Sequence, residues 1–370
     1  MKNVCFFDSV SFWGGGEKLH LEYALEFKIR GYKVIIAAKK NSPLSREAKY
    51  FGIETIEVSV RNLSFLDPFK IIKLARLFRK NKIDSVIFSG SHDLKAGSIA
   101  AKLVGVGTIV YLRGLASPVK SNFVNRFIFN NVLTHIVANS LETKKMMLKN
   151  LGKSINENKI KIIYHGIEID APKLNENLKI DSVSENGYGI ILGSAGRLTK
   201  QKGQLYLIEI ARKLKEKNVK FTLFIAGTGE LQSELESLIE QFHFQKEIIL
   251  LGFVKDMDRF MNSIDIFLLT SIWEGFGYVL VESMIKSKPV VAFNMTSNPE
   301  IVTQNETGFL IDYPDIDMFV EKIQLLAQDE VLRKKLGENG KNCVINRFNI
   351  SDRITEFEYY LLGKQFVSKA

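Results

Sequence analysis

The sequence predicts an α/β protein made of two doubly wound parallel-sheet domains in tandem. Three observations carry this expectation. The chain has 370 residues, beyond the size at which one hydrophobic core keeps growing, so two domains are expected. Short apolar runs rich in Val and Ile alternate with helical segments, as in a parallel sheet with helices on both faces. That alternation runs twice, interrupted by the polar, Asn-rich stretch YHGIEIDAPKLNENLKIDSVSENG at 164–187, which reads as a connection. The expected organisation is a first domain at 1–170, a linker at 171–187, a second domain at 188–350, and a C-terminal helix at 351–370 free to pack back on the first domain.

The first domain opens with the strand NVCFF (3–7), which runs into a Gly-rich turn and a helix. YKVIIAA (32–38) follows Gly31, placed to cap that helix at its C-terminus. Asn41, Ser42 and Pro43 open the next helix, with Pro in the first turn where its missing N–H leaves no bond unmade. Further strands are read at 53–58, 84–89 (DSVIFS), 108–112 (TIVYL) and 134–138 (THIVA). Helices lie between them, one opened by Asp67 and Pro68 and another by Ser140. In the second domain the strands are GIILGSAG (189–196), KFTLFIAG (220–227), EIILLGFV (247–254), DIFLLTS (265–271), PVVAF (289–293) and GFLID (308–312). Three helical segments, at 315–328, 330–347 and 351–363, close the chain. Ligands of such sheets bind beyond the carboxyl ends of the strands, and two such domains facing each other leave a cleft.

Composition is that of an ordinary globular protein, 46% hydrophobic and 25% charged, which argues against disorder. Cys5 and Cys343 are far apart in sequence and belong to no metal-spaced cluster, so neither a zinc site nor a disulfide framework is expected. The N-terminal MKNVCFFDSV has an apolar run broken by Asp8, which suits a strand better than a signal peptide. No uncharged apolar stretch reaches the roughly 18 residues of a membrane-spanning helix. A cytoplasmic protein is expected.

Charge is unevenly placed. Residues 1–170 hold 27 Lys and Arg against 14 Asp and Glu, and the remainder 24 against 27. The excess positive charge therefore lies in the first half and points to an anionic partner there. DPFKIIKLARLFRKNK (67–82) and SPVKSNFVNRFIFNN (117–131) mix basic and apolar residues at near-helical spacing, as interfacial helices do. A domain helix that buries one apolar face shows the same mixture. The charge of the whole half favours peripheral binding to the anionic inner face of a membrane. Nucleic acid is not expected, because no recognised binding module is present.

Five segments carry chemistry. WGGGEK (13–18) follows the first strand; Gly15 and Gly16 let backbone approach a ligand at a helix N-terminus, or make a merely tight turn. It lacks the G-x-G-x-x-G spacing of a dinucleotide site. AGRLTKQKGQ (195–204) sets Arg197 and Lys202 beside another helix start, suiting a diphosphate or a solvated basic turn. AGTGEL (226–231) and LGFV (251–254) end the next two strands at the same sheet edge. Finally, TSIWEGFGYVLVESMIKSKPVV (270–291) has Glu274 in the loop after a strand and Glu282 about one turn into a short helix. Both carboxylates can face one pocket, where vicinal hydroxyls of a sugar would donate to them. The backbone N–H groups of Gly277, Tyr278 and Val279 suit a phosphate there. The alternative is a solvated Glu274 and a Glu282 satisfied locally or by Lys286.

Together these segments resemble the retaining glycosyltransferases of family 4, with the fold of two Rossmann-like domains facing each other across a cleft known as glycosyltransferase B (GT-B). The resemblance rests on GGGEK, GRLTKQKG, AGTGEL, LGFV, EGFGYVLVES, KPVVAF and NPEIV. It implies that Arg197 and Lys202 hold the donor diphosphate, that Glu282 accepts the ribose hydroxyls, and that Glu274 contacts the donor sugar. Gly275, Phe276, Gly277, Tyr278 and Val279 would supply backbone donors; Gly227, Glu230 and Val254 would line the base; Gly15 and Gly16 would meet the phosphates or the acceptor. It implies no metal and no cofactor, only a UDP- or GDP-linked sugar as substrate. The acceptor would be a saccharide or lipid-linked saccharide of surface polysaccharide or lipopolysaccharide synthesis, with the sugar transferred with retention.

The sequence departs from the family in three places. Arg113, in YLRGLA, stands where many members have a histidine near the reacting carbon. His92, in FSGSHD, is then the nearest candidate histidine, whether structural or facing the acceptor. His165-Gly166 replaces the usual Asn-Gly, and NMTSNPEIV replaces a glycine-containing loop that often meets the donor sugar. A nucleotide-sugar epimerase of the same fold and a non-catalytic sugar-binding or scaffold relative remain alternatives at this level.

Overall fold

A computed structural model describes residues 3–152, 155–169 and 189–364. The expected linker at 171–187 and the last six residues of the expected 351–370 segment lie outside the described residues. The chain divides into two compact units, one made of residues 1–166 together with residues from Ser351 onward, the other of Ile167–Ile350.

In the first unit seven strands form one parallel sheet: β1 (Asn3–Asp8), β2 (Lys33–Ala38), β3 (Glu54–Glu57), β4 (Ser85–Phe88), β5 (Thr108–Arg113), β6 (His135–Ala138) and β7 (Ile160–Ile162). Their order is β3-β2-β1-β4-β5-β6-β7. The strands read as continuous apolar runs because both faces are covered; Cys5, Phe7, Val86, Phe88, Ile109 and Tyr111 are all buried in the core. The helices are α1 (Gly15–Ile29), α2 (Pro43–Tyr50), α3 (Pro68–Lys80), α4 (Ser91–Leu103), α5 (Phe123–Phe127) and α6 (Leu141–Leu151). Ser42, Asp67 and Ser140 cap α2, α3 and α6 with their side chains, each accepting from an N–H that the first helical turn leaves unpaired. Within the basic segment 117–131 only the second part is helical. Asn122 caps α5, which runs directly into a π-helical turn, Ile128–Val132. β7 has no counterpart among the strands expected from the sequence. It is three residues long with an exposed central Lys161, too short for a periodic signal.

The second unit has a six-stranded parallel sheet of order β10-β9-β8-β11-β12-β13, from β8 (Ile190–Ala195), β9 (Phe221–Ala226), β10 (Ile248–Gly252), β11 (Ile266–Leu269), β12 (Val290–Phe293) and β13 (Gly308–Ile311). Its helices are α7 (Leu205–Glu216), α8 (Gln232–Gln241), α9 (Met257–Asn262), α10 (Tyr278–Ile285), α11 (Asn298–Ile301), α12 (Ile316–Gln328) and α13 (Glu330–Arg347). The last helix, α14 (Ile350–Leu361), packs on the first unit. Phe357 lies 5.4 Å from Tyr23 between ring centroids, the Tyr360 hydroxyl donates to the Lys159 carbonyl at 2.6 Å, and Arg30 pairs with Glu358 at 2.9 Å.

Each sheet reverses its strand order once, between β1 and β4 in the first unit and between β8 and β11 in the second. The crevice at such a reversal, beyond the carboxyl ends of the strands, is where open α/β sheets bind ligands. All five sequence motifs fall at these carboxyl edges.

Candidate functional site

In the second unit the loops after β8, β9 and β11 are bound to one another backbone to backbone. Gly196 N–H donates to the Ala226 carbonyl at 3.0 Å, and Gly227 N–H to the Gly252 carbonyl at 2.7 Å. Two glycines allow this approach. A Cβ on Gly227 (φ +136°) would stand 1.9 Å from the Gly196 oxygen, and one on Gly203 (φ +64°) 2.2 Å from the Thr270 oxygen. The stretch GRLTKQKG thereby docks on the end of β11. Thr270 Oγ1 donates to the Lys202 carbonyl at 3.3 Å, and Ile272 N–H to the Gln201 carbonyl at 2.9 Å.

That docking brings Lys202 to Glu274, Nζ to Oε1 at 2.6 Å, across the β8/β11 reversal. The Glu274 side chain is nearly buried and the Lys202 side chain 18% exposed, so the pair is desolvated enough for its bond to be stronger than a surface ion pair. The Glu274 peptide is clamped as well. Its N–H donates to Thr296 Oγ1 at 2.8 Å, and Ser297 Oγ donates to its carbonyl at 3.3 Å. Thr296 and Ser297, from NMTSNPEIV, were not singled out as site residues. Their only signal was that side chains stand where the family loop has glycines.

Gly277 then starts α10 with φ +24°; a Cβ there would meet Leu280 Cδ1 at 2.8 Å. No side chain caps this helix and its first turn contains no acid, so the partial positive charge at its start suits an anion. Tyr278 and Val279 form the first turn, and Glu282 follows one turn on, 9% exposed. Lys286 pairs with Asp258 at 2.6 Å. Phe276 is buried with its ring against Phe348, centroids 5.6 Å apart, making it a packing residue whose peptide lies in the loop. Arg197 and Glu230 are exposed at the same edge, and Val254 is buried just beyond β10. Gly275 lies between Glu274 and Phe276 in the clamped loop.

In the first unit the corresponding edge is built differently. A Cβ on Gly15 or Gly16 would meet nothing within 4 Å, so the start of α1 faces open space. At this edge Asp8, which ends β1, and Asp93, which is bound to Ser9, are buried, 1% and 0% exposed. Asp8 accepts from Ser89 Oγ at 2.6 Å and from Val10 N–H at 3.0 Å. Asp93 accepts from Ser9 N–H at 2.9 Å and from Ser9 Oγ at 2.5 Å, and its Oδ2 lies 3.3 Å from His92 Nε2. Burial raises the Asp93 carboxyl to about 6, against the opposing pull of His92 and the Ser9 hydrogen bonds. Arg113 is buried at the end of β5, donating to the Tyr111 hydroxyl at 2.7 Å and to Ser117 Oγ and its carbonyl at 2.9 and 3.0 Å. Its guanidinium thus secures the loop after β5. His165 is buried, and desolvation lowers it to about 3, so it is neutral in the folded protein. Among the described residues no group of three or more His, Cys, Asp and Glu could hold a metal ion, and no helix is long and apolar enough to cross a membrane.

Two parallel-sheet units, each with a ligand edge at its strand reversal, define a protein of the GT-B fold class. Solved structures agree on this architecture. Anabaena HepE in complex with UDP and glucose superposes with a TM-score of 0.83 at 20% identity, covering 98% of this chain and 100% of that one. A Rickettsia africae glycosyltransferase gives 0.84 at 23% identity, covering 98% and 99%. In sequence, residues 13–171 match Glycosyltransferase Family 4 and residues 176–343 match Glycosyl transferases group 1. The chain belongs to the group 1, family 4 glycosyltransferases, and it is a glycosyltransferase. It is 27% identical over 346 residues, 88% of each chain, to the Escherichia coli UDP-Gal:alpha-D-GlcNAc-diphosphoundecaprenol alpha-1,3-galactosyltransferase. It is 29% identical to the Staphylococcus aureus capsular polysaccharide biosynthesis glycosyltransferase CapM, over 77% of this chain and 78% of that one.

Proposed function

We propose that the protein transfers a sugar, with retention, from a nucleotide-linked donor held by the second unit to a lipid-linked saccharide in capsule or other surface polysaccharide synthesis. The observation that carries this reading is the Lys202–Glu274 pair at 2.6 Å beside the uncapped start of α10. It sets a carboxylate for sugar hydroxyls, a cation and a helix N-terminus for phosphates at one sheet edge. An ammonium has three donors, so Lys202 can keep Glu274 in place and still reach a diphosphate oxygen. With Arg197 it would offset the charge that builds on the departing nucleotide, typically a few kcal/mol per donor group. Glu282, one turn further on, would take the ribose hydroxyls, and Gly227, Glu230 and Val254 would border the base. The acceptor hydroxyl attacks the anomeric carbon from the face that the nucleotide leaves; no protein nucleophile is assigned.

The acceptor class is supported by the E. coli relative, named for a diphosphoundecaprenol-linked acceptor, and by a Campylobacter jejuni relative named for a diphospho-undecaprenol substrate, 27% identical over 81% of this chain. Both names specify alpha linkages, which fits retention from an alpha-linked nucleotide donor. UDP is the first donor base to test, with GDP the alternative.

The test has two stages. A thermal-shift screen of UDP-, GDP- and ADP-sugars identifies the donor, since a ligand bound only by the native state raises stability. The anomeric configuration of the product is then read by NMR. Inversion would sink the mechanism, and failure of every nucleotide sugar to bind would sink the donor site.

The acceptor's lipid fits a membrane-facing surface on the first unit. α3 exposes Phe69 and Ile72 beside Lys73 and Arg76, and the segment before it exposes Leu63 and Leu66. α5 exposes Phe123 and Phe127, rings stacked at 6.4 Å, beside Arg126. Apolar side chains interleaved with cations suit an anionic bilayer surface. The protein should co-sediment with anionic liposomes at low salt, and Phe69→Ser with Phe123→Ser should release it. Indifference of the native chain to such liposomes would remove this part of the reading.

A further inference from the structure

Ser9, His92 and Asp93, at the strand reversal of the first sheet, form a cluster that the donor chemistry leaves unused. Asp93 is fully buried in the first turn of α4 and accepts from both the N–H and the hydroxyl of Ser9. Ser9 gives its only hydroxyl proton to Asp93 Oδ1, so its oxygen can act only as an acceptor toward His92 Nε2, 3.3 Å away. The second neighbour of Nε2 is Asp93 Oδ2, also at 3.3 Å and also an acceptor. A nitrogen facing two acceptors carries the proton in the neutral ring, and the lone pair is left on Nδ1. Nδ1 has no hydrogen-bond partner among the described residues, and the His92 side chain is 27% exposed at the ligand edge. Gly90 makes room for the ring, since a Cβ there would stand 3.0 Å from His92 Cε1 and Asp93 Oδ2 and 3.3 Å from Nδ1 itself, crowding the atom that is left with the lone pair.

We propose that His92 accepts, at Nδ1, a hydrogen bond from a hydroxyl of the acceptor saccharide, and that Asp93, assisted by Ser9, is a positioning residue that fixes the ring in the Nε2-protonated form. This rests on the reading that the first unit holds the acceptor. The other titratable groups facing the pair are Asp8, occupied by Ser89 and Val10, and His20 of α1, which interacts with Asp8.

The experiment uses histidine-ring 15N spectra of the full chain, with His92→Gln to identify the His92 signals. His92 partly faces solvent, so this variant is expected to keep the native melting temperature. In the native protein the neutral ring should show Nε2 protonated, and Asp93→Asn should abolish that preference because its amide can donate to Nε2. An Nδ1-protonated ring, or a spectrum that Asp93→Asn leaves unchanged, overturns the positioning role. Titration with GlcNAc-diphosphoundecaprenol in detergent micelles should move the Nδ1 resonance, and its absence of effect overturns the acceptor contact. In turnover with the donor identified by thermal shift, His92→Gln should raise the acceptor KM about tenfold, the loss of one net hydrogen bond, with donor KM unchanged. Asp93→Glu should recover part of what Asp93→Asn loses. Failure of the donor reading is distinguishable, because it appears as absent nucleotide-sugar thermal shifts while the tautomer result stands.

Discussion

The two ligand edges solve the same topological problem with opposite materials. In the second unit the edge is made rigid by backbone: a Cβ on Gly203 or Gly227 would stand within 2.2 Å of a neighbouring carbonyl oxygen. Upon that frame it presents an ion pair and a helix start. In the first unit the acids are consumed internally, Asp8 by Ser89 and Val10, Asp93 by Ser9. Before Gly15 and Gly16 lies open space, and the His92 imidazole is partly exposed. A rigid frame with outward charge suits an invariant ligand such as a nucleoside diphosphate. An internally satisfied edge with open space suits acceptors that differ from one family member to the next.

The sharpest way to break this comparison is through charge. Lys202→Ala or Glu274→Ala should each lower turnover about 10²- to 10³-fold, the usual cost of removing a group that stabilises developing charge. The double variant should lose little more than the worse single one, because the two side chains act as a unit. Additive losses would show that they work independently and that the 2.6 Å contact is incidental. Turnover is measured with the donor found by thermal shift.

Backbone gives the next largest effect. Gly227→Ala should destabilise the protein by on the order of 3 kcal/mol, from a strained positive φ and a collision with the Gly196 carbonyl. Gly16→Ala lies inside α1 with nothing within 4 Å of the new methyl, and should raise stability by about 0.5–1 kcal/mol through helix propensity. Urea denaturation of both variants decides the matter. Equal effects would mean that the edges do not differ in rigidity.

The smallest effect is on pH dependence. The folded His165 lies at about 3, below its ordinary 6.5, so the unfolded state binds the extra proton between those values. Its contribution is present above pH 6.5 and is lost as pH falls toward 3, at up to about 1.4 kcal/mol per pH unit. Asp93, raised from 3.8 to about 6, runs the other way: its contribution is present below 3.8 and is lost as pH rises through about 6. His165→Gln should therefore flatten the acid loss of stability between pH 6.5 and 4.5, and Asp93→Asn should steepen it. Denaturation midpoints at these pH values that are identical in all three proteins would show that neither burial persists in solution.

Much of this was legible in the chain. Apart from β7, the strands of both sheets followed from period and composition, because a strand buried on both faces must be apolar throughout. Glu274, Lys202 and the glycines could be singled out as an acid, a cation and turn formers at the carboxyl ends of strands, with their roles drawn from the family resemblance, whereas the contact between Lys202 and Glu274 could not be read. β7 could not be read, because three residues with an exposed lysine in the middle carry no pattern. Thr296, Ser297 and Asp93 were missed because a hydroxyl or a carboxylate in a loop looks the same whether it meets water or a partner tens of residues away. Helix α5 proved shorter than the basic segment suggested, because Arg113 and Ser117 bind each other and hold the chain before Asn122 out of the helix.

The sequence by itself determined the number of units, the strand and helix alternation, and the residue types available at each carboxyl edge, since these depend on local pattern. Only the tertiary structure decided strand order, and with it which loops meet. The contacts of Lys202 with Glu274, 72 residues apart, and of Ser9 with Asp93, 84 residues apart, exist because β11 lies beside β8 and β4 beside β1. Such pairings come from closing long crossovers around a common core, a balance of burial against chain entropy that no local stretch of residues encodes.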